Sequence, residues 1–481
     1  MHLTQGEESM IAFVNVGPNG TFESSGDHAT APADVDALFA GIASDGKKAL
    51  VIHFHGGLVS ESKGVEIALK LAPVYAQADA VPLTFVWETG LIETFRDNLL
   101  HIHNTKLFQK LLKWVLRRVL QRFGGFEGKG VGVAVSMGAI EAELQRDAPF
   151  SQYDDPDTGN GAAGRGAGSV EEADLEHLYD ELEAEFLADM NDDEEVVTEV
   201  QAHAGRAVDA QAKGLIEAAK VAKLLAAVAY RSIRRHLHGR DHGFYPTVVE
   251  EVLRELYLAD LGAWVWGRMK DKAATMWLSN AGRVGTESRV GTYVLEKIAA
   301  LQAERPEFKL HLIGHSAGSI AICELLRAAA DFGVKVKVDT IGFMAPAGRC
   351  ELGVAELARH PERFKRFRMY TMADQYERED ALVPKVYTRS LLYFISGVLE
   401  PDEVDAPIMG MMRHHSGEGP FASGAAAEWA AFASAKGHTA LSDSAIIAPE
   451  AVEGMCTGSL SHGGFDDDAQ TLASLVALLR G

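Results

Sequence analysis

Lys309-Leu310-His311-Leu312-Ile313-Gly314-His315-Ser316-Ala317-Gly318-Ser319-Ile320-Ala321-Ile322 is the stretch on which the fold turns. Its first six residues, Lys309 to Gly314, read as a strand. Ser319 to Phe332 reads as an apolar helix, so a serine sits between them in the pattern G-x-S-x-G. The bare pattern is common, and the strand before it and the helix after it give it weight. A serine on so tight a turn projects its hydroxyl outward and needs small neighbours. The turn also aims the Ala317 amide and the helix N-terminus at a carbonyl under attack. Ser316 is therefore the candidate nucleophile.

Strands and helices alternate on both sides of this turn. Upstream, Ile11 to Val16, Ala49 to Phe54 and Pro82 to Trp87 read as strands, with helices from Ala33 to Ile42 and from a cap at Ser62 through Tyr75. Ala49-Leu50-Val51-Ile52-His53-Phe54 is almost continuously apolar, as in a parallel sheet covered on both faces. Downstream, Arg289 to Glu304 reads as a helix. Val336 to Ala345 and Phe367 to Met372 read as strands, Glu428 to Ala433 as a weaker strand, and Asp466 to Arg480 as a closing helix whose leading aspartates suit its N-terminal dipole. Leu91 to Arg283 carries almost no strand signal. Helical spacing covers Leu91 to Phe123, Val170 to Asp189, Lys213 to His238 and Pro246 to Met276, with a flexible Gly/Asp/Ala-rich loop at about 153–169. The expectation is a mostly parallel α/β sheet domain, residues 1–90 and 285–481, interrupted by a helical insert, 91–284.

A second motif, His55-Gly56-Gly57-Leu58, follows the strand that ends at Phe54. Glycine lets backbone approach a substrate, and free amides there can donate to a developing oxyanion. A decoy, Ala134-Val135-Ser136-Met137-Gly138, has Ala where the first Gly belongs and reads as a structural segment.

With these motifs in this order, about Met10 to Glu88 and Arg289 to Arg480 resemble the α/β-hydrolase superfamily on its esterase and lipase side. The resemblance implies a doubly covered α/β sheet, a helical cap formed by the insert, and a triad in the order Ser, acid, His. It makes His55 and Gly56 the oxyanion-loop motif, with the Ala317, Gly57 and Leu58 amides as the oxyanion hole. His462, in the loop Ser461-His462-Gly463-Gly464 before the last helix, stands where the superfamily carries its base. The rivals His414, His415 and His438 read as solvated loop residues. His315 reads as packing and His53 as a hydrogen-bonded core residue. Asp374, two residues past the strand ending at Met372, is the preferred acid. Asp380, before Ala381-Leu382-Val383-Pro384, is the alternative and resembles an Asp-x-Val-Pro seen in some lipases. Asp339 is the weakest candidate.

The chain has 481 residues and a formal net charge of -22, from 68 acidic and 46 basic side chains. Such a surface repels phosphate backbones, which argues against nucleic acid as a partner. Three cysteines, Cys323, Cys350 and Cys456, make neither a disulfide framework nor a zinc pattern. No metal or nucleotide motif is evident, so no cofactor is expected. The N-terminal residues lack a signal-peptide pattern, and the default expectation is a cytoplasmic protein. Lys106, Lys110, Lys113, Arg117, Arg118 and Arg122 alternate with Leu107, Phe108, Leu111, Trp114, Val115 and Leu120. Such a helix, like the similarly basic Lys213 to Arg240, can lie on anionic lipid, but the preferred reading packs its apolar face on the sheet domain and leaves its basic face in water or paired with the acidic insert, whose run Glu171 to Glu195 reads as a solvated helical face. The functional expectation is hydrolysis of a small carboxylic ester through an acyl-enzyme. Thioesters and amides remain open. The alternatives are a lipase or phospholipase at an interface and an inactive hydrolase fold used for binding.

Overall fold

The computed structural model describes residues 13–24, 26–87, 92–126, 136–154, 172–191, 218–257, 263–442 and 454–481. Most of the loop expected at 153–169, and Glu88 to Gly90 just before the expected insert, lie outside the described residues.

The fold is a parallel α/β fold. Its strands are β1 (Phe13–Asn15), β2 (Ala49–Phe54), β3 (Val81–Val86), β4 (Lys309–His315), β5 (Val338–Met344), β6 (Phe364–Thr371) and β7 (Thr439–Leu441). They form one seven-stranded sheet in the order β1-β3-β2-β4-β5-β6-β7. Every pairing is parallel. β2 and β5 are buried at every position, and β2 reads accordingly as an almost continuous apolar run.

The order sets the position of the site. From β2 the chain proceeds to β3 on one side, and from β4 to β5 on the other. The loops leaving the carboxyl ends of β2 and β4 therefore diverge and leave a crevice between them. Pairing of Phe54 with Gly314 brings His55-Gly56-Gly57 and Ser316 to that crevice together. Below it, Val51, Ile313, Met344 and Tyr370 pack with Phe465, Leu475 and Leu479 from the C-terminal segment, so a core anchors the strand ends.

Several elements differ from the sequence reading. Glu428 to Ala433 is part of a helix, Gly424–Ala433, not a strand. Its alanines have the strongest helix propensity, and Trp429 and Phe432 lack the alternation of a strand. The seventh strand is the three-residue β7, too short to show a period. Ser60 rather than Ser62 caps the helix Glu61–Ala76, its Oγ accepting from the Lys63 N–H. The segment from Leu91 splits into Ile92–His103 and Lys106–Phe126, with Thr105 Oγ1 accepting the Phe108 N–H at the break. The closing helix begins at Ala469 under an Asp468 cap, which leaves Asp466 outside it.

The chain divides into two compact units: Met1–Ile92, Trp264–Asp380 and Pro407–Gly481 make the first, and Glu93–Ala263 with Ala381–Ala406 the second. The sheet unit thus resumes at Trp264 instead of 285. Ala381–Ala406, assigned from sequence to the sheet domain, belongs to the helical unit. The reason is ionic. Arg389 Nη2 pairs with Asp154, at 2.5 Å, and Asp405 sits 2.8 Å from His242 Nε2. His242 Nδ1 also meets Glu250, at 2.7 Å, and Arg235 binds Glu250 at 2.6 Å. These groups are buried, so each charge needs its partner. In the same unit the basic face of Lys106–Phe126 is neutralised by the acidic helix Glu172–Asn191. Arg118 binds Asp189 at 2.6 Å, and Arg122 binds Glu181 and Glu185 at 3.0 and 3.1 Å. Among the described residues no helix is long and apolar enough to cross a membrane.

Candidate active site

Ser316 is a non-glycine residue at φ +52°, a left-handed conformation that carries strain of about 1–3 kcal/mol. Its neighbours explain how the turn tolerates it. A Cβ on Gly318 would lie 2.2 Å from the Phe54 carbonyl oxygen, and one on Gly314 would lie 2.7 Å from the Gly318 backbone. Only glycine fits either place, so the pattern that marks the turn in sequence is a packing requirement of β2 against β4. The Ser316 N–H donates to the Met344 carbonyl at 2.8 Å. The Ser316 carbonyl accepts from the Ala347 N–H at 3.0 Å and the Ser319 hydroxyl at 2.7 Å. Backbone and hydroxyl bonds thus fix the strained residue on both sides.

His462 approaches from a single helical turn, His462–Gly464. Its Nε2 lies 2.9 Å from Ser316 Oγ, and both residues are buried. Burial, and then the charge of His315, push the His462 ring down to about 3, with Asp466 opposing. The ring is therefore neutral at ordinary pH. With its proton on Nδ1, Nε2 accepts from the serine hydroxyl. Among the described residues that Nδ1 has no hydrogen-bond partner. Asp374 opens the short helix Asp374–Glu379 and makes no hydrogen bond to the His462 ring. Asp380 does reach His462, but at its peptide: Oδ2 accepts the His462 N–H at 2.7 Å.

The next peptide, on the other side of the His462 Cα, is held by a residue that the sequence reading assigned to packing. His315 Nε2 lies 2.9 Å from the His462 carbonyl, and His315 Nδ1 lies 2.9 Å from Asp466 Oδ2. Burial lowers the His315 pKa, but the charge and hydrogen bond of Asp466 and the His462 carbonyl outweigh it and leave it raised. Asp466 shows the converse. Burial pushes its carboxyl up, and His315 holds it well below the usual carboxylate range.

The loop after β2 completes the crevice. His55 Nε2 accepts the Trp87 N–H at 3.2 Å, so its Nδ1 carries the proton and donates to the Gly56 carbonyl at 2.8 Å. Trp87 Nε1 donates in turn to the His55 carbonyl. The histidine of this motif thus locks the loop onto the end of β3. A Cβ on Gly56 would stand 3.4 Å from Ser316 Cβ. One on Gly57 would stand 3.2 Å from Ala317 Cβ and 2.5 Å from Met269 Sδ. Leu58 turns the chain at φ +59°. The N–H groups of Gly57, Leu58 and Ala317 make no hydrogen bond among the described residues, and Gly57 and Ala317 lie against each other next to the serine.

The remaining candidates have other roles. His414 Nδ1 accepts the Ile408 N–H, while His415 and His438 reach the Met409 and Phe432 carbonyls. None is a freely solvated loop residue, as the sequence reading had them: each ring fastens a turn. His53 meets the Tyr75 hydroxyl at 2.8 Å in the core. Asp339 lies at the opposite end of the sheet, accepting the Leu310 N–H and pairing with Lys365. Ser136 caps the helix Met137–Leu144 through the Ala139 N–H, and Val135 before it lies outside the described residues. No group of three or more His, Cys, Asp or Glu among the described residues is arranged to hold a metal ion. No family model matches the chain, and neither the curated proteins nor the solved structures compared with it give a match.

Proposed function

We propose that the chain is a serine hydrolase of the α/β-hydrolase type that cleaves carboxylic esters. The observation that carries this reading is the 2.9 Å approach of His462 Nε2 to Ser316 Oγ, with the serine held at φ +52° on a strand-to-helix turn. In this reading Ser316 Oγ attacks the acyl carbon while its proton passes to His462 Nε2. The carbonyl oxygen, now carrying the electron pair, meets the amides of Ala317 and of Gly57 or Leu58. Collapse expels the alkoxide, which takes the proton from His462 and leaves an acyl-serine. Water, deprotonated by His462, then attacks the ester carbon, and the protonated His462 gives the proton to Oγ as the acid departs.

The interfacial-lipase alternative is less favoured, because Arg118 and Arg122 of its basic helix are bound to carboxylates of their own unit. The test is labelling by a fluorophosphonate together with hydrolysis of p-nitrophenyl esters of increasing chain length. Labelling that Ser316→Ala abolishes and Ser136→Ala leaves intact supports the reading. An unlabelled, folded wild type that hydrolyses no ester, thioester or amide would overturn it in favour of a binding role.

A further inference from the structure

We propose that His462 is held in place as a base through its own peptide, clamped by Asp380 on one side and by the His315–Asp466 pair on the other, with His315 as a charged positioning residue. The inference rests on the reading of Ser316 as nucleophile and His462 as base, and adds what orients them.

An imidazole that takes a proton from a serine must keep the Nε2 lone pair on Oγ. Its second nitrogen is the ordinary handle for doing so, yet His462 Nδ1 is buried and has no hydrogen-bond partner among the described residues. The hold falls on the main chain. The His462 N–H donates to Asp380 Oδ2 at 2.7 Å, and its carbonyl accepts from His315 Nε2 at 2.9 Å. Both peptide groups flanking one Cα are thereby fixed, and a buried ring with few rotamers follows its backbone.

The chemistry of the two contacts sets the state of His315. Its Nδ1 faces a carboxylate oxygen and its Nε2 a carbonyl oxygen, each 2.9 Å away. Both partners only accept. A neutral imidazole has one N–H and satisfies one of them; the imidazolium satisfies both. The titratable groups acting on this ring are Asp466, His462, His53 and Lys70, and Asp466 is the anion among them. An imidazolium at His315, with ring centroids 5.6 Å apart, also keeps His462 neutral and its Nε2 able to accept. Because His315 precedes Ser316 in the chain, the arrangement closes on itself. The end of β4 carries the nucleophile, and the adjacent side chain places the base against it.

The test combines fluorophosphonate labelling and p-nitrophenyl butyrate hydrolysis with ring-15N spectra of histidine-labelled full-length protein. In folded His315→Leu and Asp466→Asn, the labelling rate and kcat should fall about tenfold or more with KM within about twofold. His315→Gln, which keeps one donor for the carbonyl, should recover part of the loss. The wild type should lose labelling as pH rises through the raised His315 value, and His315→Gln should lack that alkaline limb. At about pH 6, below its raised value, His315 should give a doubly protonated ring signal in the wild type that disappears in His315→Leu. Labelling of folded His315→Leu within twofold of wild type, or a neutral His315 ring at that pH, would overturn the clamp. If the wild type neither labels nor hydrolyses, the hydrolase reading fails. The ring spectrum then decides the clamp alone, through the His315 imidazolium and a shift of the His462 signals in His315→Leu.

Discussion

The Ser316 N–H donates to the Met344 carbonyl at 2.8 Å, continuing the β4–β5 ladder, although Ser316 itself has turned to φ +52°. The sheet register thus extends one residue past the strand and holds the nucleophile in a conformation that its side chain disfavours. Strain kept in this way should be released by glycine. Ser316→Gly should be more stable than Ser316→Ala by about 1 kcal/mol, and both should be inert to fluorophosphonate. Paired thermal melts check this; equal midpoints would mean that the turn stores no strain.

The glycines on either side give a harsher result. A Cβ at Gly318 would meet the Phe54 carbonyl oxygen at 2.2 Å, backbone that cannot swing aside. Gly318→Ala should destabilise the protein by about 1–3 kcal/mol and slow labelling, because β2 and the turn must move apart. Gly463 has open space around its Cβ position. Gly463→Ala, in the His462 loop, should therefore melt like wild type. Urea titrations of the two variants read the difference.

The pH dependence follows from buried neutral histidines. Burial lowers His462 to about 3 and His53 and His55 to about 4, against an ordinary value of 6.5. The unfolded chain therefore binds protons that the folded chain refuses. Stability from these rings is complete above about pH 6.5 and is lost as pH falls from there toward 4. His315, with a raised pKa, has the opposite sign: its contribution is present at low pH and lost as pH rises through its folded value. Three rings outweigh one, so the thermal midpoint should drop by roughly 5 °C or more between about pH 7 and pH 5. The labelling rate of still-folded protein should stay level over the same interval, because His462 remains neutral. A labelling rate that halves near pH 6.5 would place His462 in an ordinary, solvated environment.

The parts of this architecture that were legible in the sequence are those set by local rules. An almost continuous apolar run marked β2, and the strand ahead of the G-x-S-x-G turn marked β4. Gly314 and Gly318 marked a turn with no room for a Cβ. His462 stood between small polar residues just ahead of an amphipathic helix. What was hidden depends on partners distant in the chain. His315 reads as packing until Asp466, 151 residues later, is seen at its Nδ1. The one available signal was that Asp466 follows His462 by four residues in the same loop. Ala381–Ala406 could not be assigned to the helical unit, because the charges that hold it there, Asp154 and His242, lie more than a hundred residues upstream. Gly424–Ala433 was misread because an Ala-rich helix interrupted by aromatics shows neither period clearly.

Charge neutralisation inside the helical unit bears on lipid. Arg118 is largely buried against Glu185 and Asp189, and Lys113 binds Glu141 at 2.7 Å. With net charge -22 in addition, the wild type should not sediment with anionic vesicles at about 0.15 M salt. Arg118→Gln should instead lower stability, because it leaves partly buried carboxylates without their cation. Salt-sensitive sedimentation that is lost when Lys110, Lys113, Arg117 and Arg118 are changed to Gln would return the interfacial reading to favour.

The order of effect between two aspartates is the sharpest test of how His462 is held. Asp380 Oδ2 accepts the His462 N–H, whereas Asp374 makes no hydrogen bond to the His462 ring. If the peptide is the handle, Asp380→Ala should lower kcat about tenfold or more, and Asp374→Asn should lower it by less than about threefold. Asp380→Asn keeps an oxygen that can accept the same N–H and should fall between them, since the charge on the acceptor strengthens the bond without being essential to it. An acid acting on the ring gives another pattern: replacing its charge is severe even when the oxygen is kept, because the imidazolium formed during attack loses its counter-ion. Steady-state kinetics on a short p-nitrophenyl ester separate the two cases. Should Asp374→Asn prove the damaging change, with Asp380→Ala mild, the ring must acquire a carboxylate during turnover, and the peptide clamp would be scaffolding for a triad built on Asp374.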